Sequence, residues 1–161
     1  AAVGAQFARP DRLVIDVDGD ASIRMNLGEF ETVTTYNLPI KVMVLNNFGD
    51  GMVMQWQRLF FNGRLSASDK SLRKKNFVKA AQADGFDFAK RLDRKEDVPA
   101  VLEEFLNFDG PAFLEVIIDP EANVYPMVGP GQSYREMITG DFIPNRYDSG
   151  KVDEPDPSEM F

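Results

Sequence analysis

The chain has 161 residues, 43% of them apolar, which is enough for one globular domain with a sizeable core, and no apolar run is long enough to span a membrane. Its net charge of −8 and pI near 4.6 argue against a nucleic-acid partner, because phosphate backbones are bound by basic surfaces. The absence of Cys and His excludes disulfides, catalytic thiolates, Ser-His-Asp triads and HExxH zinc sites.

Strands and helices alternate along the chain. In chain order, periodicity and breakers predict a helix at 1–8, a strand at 13–17, a helix at 22–34, a strand at 40–45, a helix at 53–60 and a polar loop up to Lys75. A second set follows, with a helix at 77–83, a strand at 86–92, a helix at 97–108 and a strand at 111–118. Continuous apolar strands are typical of sheets buried on both faces, so we expect an α/β fold with a mainly parallel sheet flanked by helices.

The alternation ends beyond Asp119, and the composition becomes acidic and Pro-containing from about Asn145. We therefore expect one domain over residues 1–144 and a mobile C-terminal tail over 145–161. The chain begins with a helical segment that has neither an initiator Met nor a helix cap. This beginning indicates an N-terminally truncated fragment.

Polar residues cluster where the first two predicted strands end. Asp20 follows the first strand, and Asn46-Asn47 follows the second. Because the carboxyl ends of parallel strands meet at one edge of a sheet, we expect these side chains to lie together. Oxygens of Asp20 and Asn47 suit Mg²⁺, and the backbone amides of Ala21 and Ser22, at the start of a helix, can face a diphosphate.

Three other interpretations of Asp16, Asp18 and Asp20 remain to be weighed. Asp residues at strand ends often only bond nearby backbone amides. A calcium EF-hand is disfavoured, because Ala21 and Leu27 stand where it needs Gly and Glu. An aspartate-nucleophile phosphatase is the alternative mechanism, with Asp16 attacking phosphorus and Asp18 acting as the general acid.

The segment from Gly19-Asp20-Ala21 to Asn46-Asn47 resembles the thiamine-diphosphate-binding motif of thiamine-dependent enzymes. The sequence Gly51-Met52-Val53-Met54-Gln55-Trp56-Gln57 narrows the resemblance to the acetolactate synthase (acetohydroxyacid synthase) catalytic subunits, C-terminal domain. Pro126-Met127-Val128 is also similar to that family, and the resemblance covers residues 4–143. The chain departs from the motif at Ala21, which replaces the usual Gly.

The resemblance implies roles for individual residues. The metal ligands would be the side chains of Asp20 and Asn47 and the backbone carbonyl of Gly49. Substrate would contact Met52 and Trp56. The residues that bind the cofactor would be Gly19, Asp20, Ala21, Ser22, Asn47, Gly49, Gly51 and Met52. No catalytic residue is expected in this fragment, because the activating Glu of the family lies in another domain.

The resemblance also implies an activity and partners. Members use thiamine diphosphate and Mg²⁺ to condense two pyruvates, or pyruvate and 2-ketobutyrate, with loss of CO₂ in branched-chain amino-acid biosynthesis. Another thiamine-diphosphate-dependent decarboxylase or carboligase is the alternative within this class. The complete enzyme would be a homodimer or tetramer with interfacial active sites, FAD bound mostly outside this fragment and a possible small regulatory subunit. A bacterial member would be cytoplasmic and a eukaryotic one organellar, and the fragment alone would be inactive.

Overall fold

The computed structural model describes residues 1–73 and 75–140. Within this part of the chain, four strands form a parallel sheet with the order β1-β2-β4-β3. The strands are β1 (Ile15–Gly19), β2 (Lys41–Asn46), β3 (Phe88–Leu92) and β4 (Ala112–Ile117). The predicted α/β fold with a mainly parallel sheet flanked by helices is confirmed.

Helices connect the strands and cover the sheet. They are α1 (Ala2–Ala8), α2 (Glu29–Thr35), α3 (Gly51–Phe60), α4 (Phe77–Ala83) and α5 (Val98–Asn107). The chain moves across the sheet in one direction from β1 to β2 to β3 and then returns to β4. Because crossovers between parallel strands are right-handed, this reversal places α2 and α4 on one face of the sheet and α5 on the other. We call the face covered by α2 and α4 the first face and the face covered by α5 the second face.

Each face carries its own apolar cluster. On the first face, Phe113 of β4 packs with Phe30 of α2 and Phe77 of α4, and all three side chains are buried. On the second face, Phe105 of α5 packs against Phe88 of β3. Burial of these rings against the sheet supplies the main stabilising contribution to the fold.

Strand β1 is less buried than the sequence predicts. It lies at the edge of the sheet, and its side chains Ile15 and Val17 are 44% and 58% exposed. Helix α5 packs over β3 and β4 on the second face and leaves β1 uncovered there. The prediction of a buried strand is therefore wrong for β1, whereas β2, predicted to be buried on both faces, is largely buried.

The predicted helix at 22–34 is broken in two. A three-residue 3₁₀ turn at Ile23–Met25 precedes α2 (Glu29–Thr35). The intervening Asn26 and Gly28 are poor helix formers, while Ile23 and Phe30 on either side are both buried in the first-face cluster. Tertiary packing thus fixes two short segments where periodicity alone indicates one long helix.

A second compact unit begins at Asn123. Within its described part, Met127 and Ile138 exchange backbone hydrogen bonds of 2.9 and 2.8 Å, and Ser133 and Glu136 form a capping box. The predicted tail over 145–161 lies outside the described residues, so the predicted boundary at 144 remains a prediction. In the described residues, every helix is too short or too polar to cross a membrane.

A buried lysine holds the amino-terminal edge of the sheet. The Nζ of Lys41 donates to the carbonyls of Phe108 (2.6 Å) and Gly110 (2.7 Å), which lie between α5 and β4. Burial lowers the pKa of Lys41, and the neighbouring charge of Asp109 acts in the opposite direction. The amine of Lys41 therefore satisfies two backbone carbonyls that would otherwise need water as a hydrogen-bond partner.

We predict that Lys41→Met lowers the free energy of unfolding near neutral pH by about 1–3 kcal/mol, because it leaves two carbonyls without their donor. The unfolded chain holds the Lys41 proton up to its ordinary pKa of 10.5, above the depressed pKa of the folded chain. Between the depressed pKa of Lys41 in the folded chain and 10.5, the free energy of unfolding of the wild type should therefore rise with pH. The free energy of unfolding of Lys41→Met should lack this rise.

Denaturant unfolding over a pH series measures both effects. Lys79→Met, which removes the same charge from the exposed face of α4, is the matched control and should change the free energy of unfolding little. Equal losses in the two variants would contradict the role given to Lys41.

Candidate functional site

A cavity of about 420 Å³ opens at the carboxyl ends of β1 and β2. The predicted cofactor-binding residues that line it are Gly19, Asp20, Ala21, Ser22, Asn47, Gly49 and Gly51. Asp18, which the sequence analysis named only for the alternative phosphatase mechanism, also lines it, as does Asp50, which the sequence analysis missed. Open parallel sheets bind ligands at this edge, so the cavity is the candidate site.

Asp20 is the most unusual residue in the cavity. Its side chain is 1% exposed, and neither carboxylate oxygen has a hydrogen-bond partner among the described residues. Its backbone is fixed, because its amide donates to the Leu45 carbonyl (3.3 Å) and its carbonyl accepts from Arg24 Nε (3.1 Å). A buried carboxylate without partners is costly, and a cation in the cavity would supply the missing interaction.

Burial also perturbs the titration of this carboxyl. It raises the pKa of Asp20, against the opposing effects of the backbone N–H groups of Gly49 and Asn47 and the positive charge of Arg24. Arg24 was not identified from the sequence as part of the site. Only its position, four residues after Asp20, could have indicated it.

The second wall of the cavity is the turn that follows β2. Phe48 has a positive φ of 61°, and the amide of Gly49 donates to Asn47 Oδ1 (3.3 Å). A Cβ added at Gly49 would lie 2.8 Å from the Ser68 carbonyl oxygen, and one added at Gly51 would lie 2.6 Å from Asn47 Nδ2. Glycine at both positions therefore lets the backbone approach closely and seats the Asn47 carboxamide beside the cavity.

The loop predicted to be polar forms hydrogen bonds to this turn. The amide of Asp50 donates to the Ser68 carbonyl (2.9 Å), and the amide of Lys70 donates to the Phe48 carbonyl (2.8 Å). The Nζ of Lys70 also forms an ion pair with Asp50 Oδ2 (3.0 Å). The turn is thus held from outside by a segment about twenty residues later in the chain, which local sequence patterns do not reveal.

The structure does not bring the two predicted substrate contacts into the cavity. Met52 lies in the first turn of α3, is 49% exposed and is absent from the lining. Trp56 packs edge-to-face on Phe60, with ring centroids 5.3 Å apart. Their roles in substrate binding remain predictions.

Asp16 and Asp18 have surroundings that differ from that of Asp20. Both line a second cavity of about 230 Å³ beside α2, and Asp18 also lines the candidate cavity. The carboxylate of Asp18 accepts hydrogen bonds from the Gly19 amide (2.8 Å) and the Ser22 hydroxyl, as expected for an Asp at a strand end. The described residues contain no group of three or more His, Cys, Asp or Glu side chains placed to hold a metal ion.

The amides of Ala21 and Ser22 precede a 3₁₀ turn and not the α-helix that was predicted. A three-residue turn aligns few peptide dipoles, so its contribution to binding an anion is small. Both residues nevertheless line the cavity, and any contribution comes from their individual N–H groups.

Comparison with known proteins identifies relatives of this chain. The chain is 41% identical over 138 residues to the mitochondrial acetolactate synthase of Schizosaccharomyces pombe, covering 86% of this chain and 20% of that protein. It is 44% identical over 138 residues to the acetolactate synthase isozyme 2 large subunit of Escherichia coli K12, covering 86% of this chain and 25% of that protein. The predicted resemblance to these catalytic subunits is confirmed, and the chain spans a fifth to a quarter of their length.

A solved structure and a family match extend the comparison. The thiamine diphosphate-dependent 4-hydroxybenzoylformate decarboxylase of Rhodococcus jostii RHA1 superposes with a TM-score of 0.64 at 28% identity, over 73% of this chain and 22% of that one. Residues 1–116 match the family described as thiamine pyrophosphate enzyme, C-terminal TPP binding domain. The chain therefore belongs to the family of thiamine pyrophosphate enzyme C-terminal TPP binding domains.

Proposed function

We propose that this chain is the part of an acetolactate synthase that binds Mg²⁺ and the diphosphate of thiamine diphosphate. The observation that carries the proposal is Asp20, whose buried carboxylate has no hydrogen-bond partner among the described residues and lies in a cavity shared with Asn47 and Gly49. A carboxylate, a carboxamide oxygen and a backbone carbonyl are hard ligands, and Mg²⁺ prefers such oxygens and commonly bridges to phosphate. The donor set therefore fits the metal.

Different residues of the cavity would bind the metal and the diphosphate. Asp20 and Asn47 would hold Mg²⁺ with the Gly49 carbonyl, and the N–H groups of Ala21 and Ser22 would face the diphosphate. When bound, thiamine diphosphate supplies the carbanion chemistry by which a 2-keto acid loses CO₂ and joins a second carbonyl compound. The chain itself would orient the cofactor in a cavity that has Leu45 among its walls.

The substrates we propose are pyruvate with a second pyruvate or with 2-ketobutyrate. Support comes from the 38% identity over 138 residues to the acetolactate synthase large subunit of Pyropia yezoensis and from the higher values in the other relatives. Met52 and Trp56 would contact the second keto acid from α3, next to the cavity. A different thiamine-diphosphate-dependent decarboxylase is the second candidate, favoured by the similarity to the Rhodococcus decarboxylase.

The complete enzyme we propose is larger than this chain. The chain matches only a fifth to a quarter of each relative, so the activating Glu, most FAD contacts and the subunit interface of a homodimer or tetramer would be supplied elsewhere. A small regulatory subunit is a further proposed partner, and we expect no nucleic acid or membrane partner. We propose a cytoplasmic location in a bacterium and an organellar one in a eukaryote.

We predict that Asp20→Asn reduces the affinity for thiamine diphosphate in the presence of Mg²⁺ by at least about 100-fold. The variant keeps the size of the side chain and removes its charge, and even residues that only support metal ligands change affinity by about 10–100-fold. Isothermal titration calorimetry measures the affinity.

Asp16→Asn is the matched control, because it makes the same chemical change outside the candidate cavity. It should leave the affinity unchanged. Loss of binding in the Asp16 variant alone, together with a phosphoaspartate at Asp16 of the wild type, would favour the phosphatase mechanism.

The second prediction concerns pH. The pKa of Asp20 in the folded chain is raised above its ordinary value of 3.8. Between these two pKa values, the folded chain still holds the Asp20 proton and the unfolded chain has released it. The free energy of unfolding of the metal-free chain should therefore fall as the pH rises from 3.8 through the raised pKa. Asp20→Asn should lack this fall.

Denaturant unfolding of both proteins over a pH series tests the pH prediction, since their difference removes the contribution of the other carboxyls. Saturating Mg²⁺ and thiamine diphosphate should abolish the fall in the wild type, because a bound cation favours the ionised carboxylate. Identical pH profiles for the wild type and Asp20→Asn would contradict the assignment.

The third prediction is that the 161-residue chain alone forms no acetolactate from pyruvate at saturating cofactor. The chain has no His or Cys, and the group that activates the cofactor is expected in another domain. A colorimetric assay of acetolactate measures the product. Sustained turnover by the chain alone would show that it holds a complete active site.

A further inference from the structure

We infer that Glu115 is a positioning residue that holds the metal-binding turn in place through Asn46. The inference rests on the proposed function, because it assigns Glu115 to the support of that same metal site. Glu115 lies on β4 and not on the two strands that carry the motif, and it is fully buried.

Three hydrogen bonds connect a surface cation to the turn. Arg91 Nε on β3 donates to Glu115 Oε2 (2.8 Å), and Asn46 Nδ2 at the end of β2 donates to Glu115 Oε1 (2.7 Å). Asn46 Oδ1 then accepts from the backbone amide of Phe48 (2.8 Å). The chain of contacts therefore runs across three neighbouring strands and ends within the turn.

The charge of Glu115 determines which way the Asn46 carboxamide is oriented. A carboxylate only accepts hydrogen bonds, so Asn46 must turn its Nδ2 toward Glu115, and its oxygen then faces the Phe48 amide. A glutamine at position 115 has one acceptor for the two donors Arg91 and Asn46. Its NH₂ group would face one of them and favour rotation of the Asn46 carboxamide.

The orientation of the Phe48 amide matters because Phe48 adopts a left-handed conformation, with φ of 61°. Residues with a Cβ rarely adopt it without support from the surrounding structure. This conformation directs Asn47 and Gly49 into the cavity that holds Asp20. Glu115 is thus connected to the proposed metal ligands by Asn46 and one peptide unit.

A role in stability alone explains the buried charge poorly. Buried ion pairs are often replaced by apolar residues at no cost to stability, and Arg91 is still 42% exposed in its side chain. A buried polar group that fixes one conformation of a turn has a reason to be charged. Positioning of the metal-binding turn is such a reason.

The test compares Mn²⁺ binding, as a paramagnetic substitute for Mg²⁺, to the 161-residue chain and its variants in the presence of thiamine diphosphate. Electron paramagnetic resonance measures both the affinity and the metal signature. We expect Glu115→Gln to weaken Mn²⁺ binding about 10–100-fold, the range for residues behind metal ligands. Glu104→Gln, which breaks an exposed ion pair with Lys90 of β3, is the matched control and should bind as the wild type does.

A double-mutant cycle separates positioning from general destabilisation. If Glu115 acts through Asn46, Glu115→Gln should cause no further loss of affinity in the Asn46→Ala background. Hydrogen exchange at the Phe48 amide gives a readout without ligand, and it should be faster in Glu115→Gln while amides in β2 keep their wild-type rates.

The outcomes are distinct. A wild type that binds no Mn²⁺ with thiamine diphosphate contradicts the proposed function, and the inference falls with it. A wild type that binds, beside a Glu115→Gln variant with unchanged affinity and Phe48 exchange, overturns the inference alone. Additive losses in the double-mutant cycle would also overturn it, because Glu115 would then act independently of Asn46.

Discussion

A carboxylate that is buried and unpaired at the end of a strand is the constraint on which the site depends. Asp20 is 1% exposed, and its two oxygens have no hydrogen-bond partner among the described residues. Such a group opposes folding of the metal-free chain, so the sheet and its helices must supply enough stability to hold it there. On the proposed function, a bound cation would supply the interaction that this carboxylate lacks.

The turn after β2, which faces Asp20 across the cavity, is held by close backbone contacts and hydrogen bonds rather than by long helices. Gly49 and Gly51 leave no space for a Cβ, and the left-handed Phe48 is held by the side chain of Asn46 and by the amide of Lys70. These contacts come from β2, from a later loop and, through Glu115, from β4. The turn is consequently defined by several elements at once, which restricts the positions that its oxygens can take.

Sequence reasoning identified the strands and the convergence of Asp20 with Asn47, because the ends of consecutive parallel strands meet at one edge of the sheet. It was wrong about the long helix after β1 and the burial of β1, since both depend on what packs against them. It missed Lys70 and Glu115 for a related reason. Their partners are far away in sequence, and only the order β1-β2-β4-β3 brings Glu115 next to Asn46.

Three buried charges in this chain show how a structural role differs from a binding role. Lys41, at the amino end of β2, donates to two carbonyls of its own chain, and Glu115, within β4, accepts from Arg91 and Asn46. Both charges are compensated from within the described structure, so their burial needs no ligand. Asp20 differs because its carboxylate has no such partner among the described residues, although its backbone is well bonded. The fold thus supplies partners for the first two charges and none for the Asp20 carboxylate among the described residues, which is why we propose Asp20 as a metal ligand.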